Sequence, residues 1–276
     1  MKQSFSARNI SIFRSWNFID KDIETELTRL ETAGALTIDG DLPLLWATKS
    51  KFVLLLELSG RRAIFKKYRK KWPFFRALWQ LSPTAREALN YSRIAALGIP
   101  VPELLGVGET RRNGKLTGCF LLTGYVENSI DGRSYMTDRN FTELREEFVE
   151  FTRGHLALLA KLHDAGYWHK GFHTGNLLAV RQRNEPLKLF WIDVATCRKT
   201  GFFGKFTKIT ADLTAYFRCT DFTADERAGF IRDYLAARKT IAPAPEKLIA
   251  AVEKKLLRTG KAKLFAPVII PPSKTT

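Results

Sequence analysis

Two residues in the second half of the chain have the chemistry of hard-cation ligands. Asn176 closes the stretch Leu162–Asn176, LHDAGYWHKGFHTGN, and Asp193 ends the apolar run Phe190-Trp191-Ile192. A carboxylate and an amide oxygen are donors that Mg²⁺ takes, and a cation so held can carry polyphosphate oxygens. Each residue alone has a plainer reading: Asn176 caps a turn and Asp193 ends a strand. In the first half, Ala63-Ile64-Phe65-Lys66 is a strand-like run ending in an ammonium, and Glu87 follows on a helix opened by Ser82-Pro83. Beside a carboxylate, that ammonium becomes a fixed point charge suited to phosphate. Lys67 is a rival for this role, but strand alternation puts Lys66 on the face of Ile64. The plainer readings here are a solvated basic run and a surface helix.

These side chains need elements to position them. Residues 1–35 read as a helical or loose preface, with helical apolar spacing from Asp22 to Leu30. Strand-like runs follow at Leu42–Thr48, Phe52–Leu58 and Arg62–Tyr68, with Ser59-Gly60 turning between the last two. The helix from Ser82-Pro83 stops at Gly98, with Pro100 beyond it. Runs Leu104–Thr110 and Leu116–Thr123 then bracket the turn Arg112-Asn113-Gly114-Lys115. After Gly124-Tyr125-Val126 helices predominate, at Phe148–His163, Ala211–Phe217, Asp225–Arg238 and Glu246–Leu257, with short strands at Leu177–Val180 and Leu187–Ile192. The tail Pro267–Thr276 reads as irregular. This order predicts an α+β fold in two parts. Residues 1–123 carry the N-terminal extension and a five-stranded sheet with one helix, and residues 124–276 are mainly helical.

A helix, a histidine loop ending in Asn, a hairpin and an apolar run ending in Asp together resemble the catalytic core of kinases. Their loop is H-x-D-x-x-x-x-N, and their metal-binding Asp follows the next hairpin. His169 and Asn176 stand at that spacing, and Asp193 stands in the metal position. The resemblance implies a protein-kinase-like, two-lobed fold using ATP and Mg²⁺, with the metal on Asn176 and Asp193. It implies Lys66 and Glu87 at the α- and β-phosphates. Tyr125 and Val126, between the lobes, would present backbone groups to adenine, and His169 would set the loop geometry.

More narrowly, Lys66-Lys67-Tyr68, Arg86-Glu87, Gly98-Ile99-Pro100-Val101-Pro102, Leu162-His163-Asp164-Ala165-Gly166 and Asp212-Leu213 resemble the lipopolysaccharide-core (heptose/Kdo) kinases, over about residues 40–240. That resemblance implies a phosphotransferase with an alcohol acceptor, acting on a lipid-anchored saccharide, lipid A–core, at the cytoplasmic face of the inner membrane. It also implies that Asp212 braces the catalytic loop. Aminoglycoside- and choline-type kinases share a loop like His173-Thr174-Gly175-Asn176, so a soluble small-molecule kinase stays open.

Two positions depart from the kinase pattern. Gly171 stands where the catalytic Asp belongs, and a general base is typically worth ~10²–10⁴-fold in rate. A loose phosphoryl-transfer transition state leaves rate to metal and positioning. His173 offers an imidazole that is neutral near pH 7, or else it packs within the loop. A pseudokinase that binds nucleotide or envelope-assembly partners is the alternative Gly171 favours. The second departure is the glycine-free loop Ala47-Thr48-Lys49-Ser50-Lys51, where Lys49, Ser50 and Lys51 side chains would have to replace backbone contacts to phosphate.

The chain carries 45 Lys+Arg against 28 Asp+Glu, a formal charge of +17, which calls for an anionic partner. The acid-free run Arg61–Arg76, RRAIFKKYRKKWPFFR, interleaves aromatic rings with cations and suits an anionic membrane surface. A solvated connection is the plainer reading of this run. Single-strand binders share the pattern, but no nucleic-acid motif accompanies it, and no specific nucleic acid is expected. Cys119, Cys197 and Cys219 are scattered, against a disulfide scaffold or a zinc site. The opening residues lack a signal-peptide h-region, and the apolar run Phe52–Leu58 is too short to span a bilayer. A cytoplasmic protein, peripheral at the inner membrane, is expected.

Overall fold

The structure, a computed structural model, describes residues 14–69, 80–112, 115–137, 145–182, 185–201, 204–240 and 243–260. These form two compact units. One takes the described residues up to Ser92 together with Pro102–Tyr125, and the other takes Arg93–Val101 and the described residues from Val126 onward.

The first unit is a six-stranded antiparallel sheet in the order β1-β5-β6-β4-β3-β2. Its strands are β1 (Arg14–Phe18), β2 (Leu44–Ala47), β3 (Lys51–Leu58), β4 (Arg61–Tyr68), β5 (Leu104–Arg112) and β6 (Lys115–Gly124), with helices α1 (Lys21–Thr32) and α2 (Pro83–Ala96). Alternation in β3 sends Phe52, Leu54, Leu56 and Leu58 into a core with Ala63, Phe65 and Leu122, where Ile23 and Leu27 of α1 join them.

The sheet has six strands where five are expected, because β1 pairs with β5 from Arg14↔Thr110 to Phe18↔Gly106. Without β1, the outer edge of β5 would leave its backbone groups unpaired. Gly106 makes the pairing possible: a Cβ there would lie 2.6 Å from Phe18 Cδ1. Phe18 instead lies over the glycine and meets the Phe120 ring at 5.8 Å.

In the second unit, β7 (Ser129–Asp131), β9 (Leu177–Val180) and β10 (Lys188–Trp191) form a three-stranded sheet, and β8 (Tyr167–Trp168) pairs with β11 (Arg198–Lys199). The helices are a single turn α3 (Ser134–Thr137), then α4 (Arg145–Asp164), α5 (Lys205–Phe217), α6 (Ala224–Ala236) and α7 (Pro245–Thr259). The buried stripe of α4, Phe148, Phe151, His155, Leu156, Leu159 and Leu162, stacks with Tyr135 and Phe222 at its N-terminal end. Thr223 opens α6 with a reciprocal capping box to Glu226.

Helix α5 begins well before Ala211, where its apolar pattern first becomes visible. Its first turn carries only one half-buried apolar residue, Phe206, among Lys205, Thr207 and Lys208. Among the described residues, no helix is long and apolar enough to cross a membrane.

Candidate active site

In the first unit the chemistry centres on Lys66. Its neighbours Ala63 and Phe65 enter the core, while Lys66 emerges on the opposite face and is still only 8% exposed. Its ammonium lies 2.9 and 3.0 Å from the two carboxylate oxygens of Glu87, which is buried in turn. Tyr68 adds a hydroxyl 3.4 Å from Glu87 Oε2 and a ring 5.6 Å from the ammonium.

Glu87 is held by the start of α2, where Ser82 Oγ accepts the Ala85 N–H at 3.1 Å and Pro83 fills the first turn. Lys67 has no carboxylate partner among the described residues. The β2–β3 loop is stitched to itself: Thr48 Oγ1 accepts the N–H groups of Ser50 and Lys51 at 3.3 and 3.2 Å, and the Arg69 guanidinium donates to Thr48 O. Those two N–H groups are committed within the loop. The Ser50 hydroxyl lies 3.4 Å from Thr48 Oγ1 within the loop, and the exposed Lys49 side chain remains for contact outside it. The Tyr125 N–H is likewise committed, to Arg62 O at 3.0 Å, whereas the Val126 N–H has no partner among the described residues.

In the second unit a buried carboxylate, Asp212 of α5, organises the loop after β8. It accepts the N–H groups of His169 at 2.7 Å and Lys170 at 2.8 Å, and His163 Nε2 lies 3.1 Å away. This fixes Lys170 in the left-handed region, at φ 64°. His169 Nδ1 accepts the Gly171 N–H at 3.2 Å, and Thr196 donates its hydroxyl to His169 O at 2.8 Å.

Asn176 turns its amide N–H to Gly171 O at 3.0 Å, which leaves Oδ1 with no donor among the described residues. Asp193 holds a left-handed backbone, φ 51° and ψ 50°, at the start of the turn Val194–Thr196, and its side chain does not cap that turn. A non-glycine residue held in that left-handed region is a candidate functional position.

His173 donates its N–H to Gly171 O at 3.0 Å and does not cap its turn either. No three Asp, Glu, His or Cys side chains cluster among the described residues, so no closed metal cage is present there. One carboxylate with one amide oxygen fits instead a hard cation that completes its shell with phosphate oxygens and water.

Burial sets the protonation of this unit's histidines. His169 is fully buried between the rings of Phe172 and Trp191, and its titration is pushed down to about 4. His155, which accepts the Trp191 indole N–H at 3.0 Å, is pushed down to about 3 by burial. Burial also lowers His163, against the pull of Asp212, and its other nitrogen meets the Tyr234 hydroxyl at 2.7 Å. In the unfolded chain these imidazoles take up protons near pH 6.5, while the folded chain resists until lower pH, so stability falls as pH drops through that window. Urea unfolding at about pH 7.5 and about pH 5 should show a loss of about 2 kcal/mol for each of His155 and His169. Equal stability at both values would mean these rings are not buried neutral.

The sequence reading did not find Thr196, nor the chain of contacts His163–Tyr234–Arg238–Asp164, in which Arg238 donates to Tyr234 at 2.8 Å and to Asp164 at 2.5 Å. The visible signal was the His163-Asp164 pair at the end of α4, but its partners lie 71 and 74 residues away.

The structure is similar to that of "WaaP in complex with acyl carrier protein", at 15% identity over 88% of this chain and 98% of that one, with a TM-score of 0.63. The expected α+β, protein-kinase-like fold is borne out, with a sheet-rich N-terminal part and a helical C-terminal part. A double mutant of the Mycobacterium tuberculosis PknI kinase domain also matches, at 16% identity over 77% of this chain and 94% of that one, with a TM-score of 0.42. A search of curated proteins by sequence finds no match. The sequence model of the lipopolysaccharide kinase (Kdo/WaaP) family matches residues 61–234. That stretch is more than half of the chain and runs from Lys66 through the Asp212-braced loop, so the protein belongs to the lipopolysaccharide kinase (Kdo/WaaP) family and is a phosphotransferase.

Proposed function

We propose that the protein transfers the γ-phosphoryl group of ATP to a sugar hydroxyl of the lipopolysaccharide inner core, at the cytoplasmic face of the inner membrane. Family membership implies ATP and a divalent metal, and Mg²⁺ is the cation that two oxygen donors plus phosphate suit best. In this reading Asn176 Oδ1 and Asp193 hold the metal, whose charge offsets that of the phosphates. Lys66, fixed by Glu87, pairs with the α- and β-phosphates, and Tyr125 and Val126 meet adenine, with the Val126 N–H as donor. His169 and Asp212 hold the loop in shape. Gly171 supplies no base, so His173 is the group available to take the hydroxyl proton.

The observation that carries the proposal is the buried Lys66–Glu87 pair. Burying two charges costs desolvation that hydrophobic residues would avoid, so its retention points to a ligand for the ammonium. The acid-free run Arg61–Arg76 supports attachment to an anionic membrane, although residues 70–76 lie outside those described.

The test replaces both partners, Lys66→Met with Glu87→Leu, which leaves no buried charge unpaired. The double variant should fold with nearly the parent's stability. Saturating Mg·ATP at 100 times its dissociation constant should stabilise the parent by ~2.7 kcal/mol and the variant not at all. Equal stabilisation of both would remove Lys66 from the nucleotide site. ATP consumption that depends on added lipid A–core then tests the acceptor.

A further inference from the structure

The segment 165–184, which holds the loop that Asp212 braces, and the segment 194–211 contain no acidic residue. Between them they carry Lys170, Arg181, Arg183, Arg198, Lys199, Lys205 and Lys208. Arg181 pairs with Glu150, whereas Lys170, Arg198, Lys199, Lys205 and Lys208 have no carboxylate partner among the described residues. Several other cations of the same unit are paired, among them Arg153 with Asp233, Arg227 with Glu253 and Arg238 with Asp164.

The unpaired cations are also brought together. Arg198 lies directly opposite Trp168 in the β8–β11 pair, so the two side chains share a face about 5 Å apart at Cβ. Lys208 of α5 also reaches over the Trp168 ring, its ammonium 5.5 Å from the centroid. Lys205, Lys208 and Asp212 follow the i, i+3, i+7 spacing that puts residues on one helix face. Asp212 ends that stripe by gripping the N–H groups of His169 and Lys170, so the same face of α5 both sets the loop and presents the cations.

No carboxylate among the described residues pairs with Arg198, Lys205 or Lys208. An anion with more than one negative charge can satisfy such cations together, and a phosphate ester is the group that ammonium and guanidinium donors grip together.

We propose that Arg198, Lys205 and Lys208, grouped around Trp168 beside the catalytic loop, bind a phosphate ester already present on the acceptor and so determine which acceptor is phosphorylated. This rests on the kinase reading above and deepens it: the enzyme selects a saccharide that carries phosphate before the transfer.

The test compares purified lipid A–core with the same material stripped of phosphate by hydrogen fluoride, both in neutral detergent micelles. The variants are Arg198→Gln with Lys208→Gln, and Lys208→Arg. The parent should show a KM for intact acceptor about tenfold or more below that for stripped acceptor, the effect expected of lost charge-assisted contacts. The double Gln variant should raise the KM for intact acceptor to the stripped value, with kcat at saturation and the KM for ATP changed by less than about threefold, the pattern of lost uniform binding. Lys208→Arg should keep most of the parent's preference. Calorimetric binding of the two acceptors without ATP gives a readout independent of turnover.

Charge-dependent binding by a parent that transfers no phosphoryl group would uphold this site and sink the kinase reading. Transfer with equal KM for intact and stripped acceptors would overturn the site and leave the kinase standing. A variant defect seen only as weaker binding to anionic vesicles without acceptor would also overturn it, assigning the cations to lipid headgroups. Phosphate found on the purified chain itself and bound at these cations, with acceptor KM unchanged in the variants, would overturn it as well.

Discussion

Asp193→Asn should lower phosphoryl transfer by about 10³-fold or more while the protein stays folded. A bound metal contributes several kcal/mol of charge stabilisation in the transition state, and each 1.36 kcal/mol is tenfold in rate, so losing the carboxylate that holds it removes about three powers of ten. Asparagine is the informative replacement because Asp193 sits at φ 51°, ψ 50°. Asn and Asp tolerate that left-handed conformation, whereas alanine would add strain of roughly 1 kcal/mol and confuse a loss of metal with a loss of structure. The side chain does not cap the turn Val194–Thr196, so the amide leaves that turn's own bonds intact. Initial rates with ATP and lipid A–core, read beside the Mg·ATP-induced thermal shift, check both halves. A variant within tenfold of the parent that is still stabilised by Mg·ATP would take Asp193 out of the metal site.

Gly171→Asp is expected to act in the opposite direction, raising turnover by up to ~10²–10⁴-fold through the general base it restores. The backbone permits the change, since Gly171 is not among the residues with positive φ. A Cβ there would lie 3.7 Å from His169 Nδ1 and 3.8 Å from Asn176 Nδ2, ordinary contacts, and 3.2 Å from the Thr196 hydroxyl, which must shift by a few tenths of an ångström. Thr196 therefore stands beside the place a catalytic carboxylate would occupy, and its bond to His169 O is what the new side chain strains. His173→Ala separates the two sources of a base: it should abolish the parent's activity if His173 accepts the proton, and leave Gly171→Asp largely active. If Gly171→Asp binds Mg·ATP and turns over no faster than the parent, the chemistry does not wait on a base at this position.

Local order was legible because it is decided within a turn or a strand. The alternation of Phe52, Leu54, Leu56 and Leu58 predicts β3, and Ser82-Pro83 predicts the start of α2, from steric and hydrogen-bonding preferences that act over a few residues. The family was legible too, because its residue types recur at short fixed spacings such as His169 to Asn176. What the sequence alone determined about this protein is therefore its elements and the kinds of side chain they carry.

Tertiary structure decided the partnerships. Nothing local tells Phe18 that a glycine at 106 waits to be covered, so β1 read as a loose preface. Lys66 and Lys67 differ by one pleat, and it is Glu87, brought over by α2, that pairs with Lys66. The carboxylate of Asp212 gains its meaning from two backbone N–H groups more than 40 residues earlier in the chain. Arg198 and Lys208 are unremarkable basic residues until β11 and α5 bring both to Trp168. Each of these outcomes depends on which buried polar group or charge is satisfied by a distant partner. That energy exists only once the chain has closed on itself, so no pattern of neighbours along the sequence can encode it visibly.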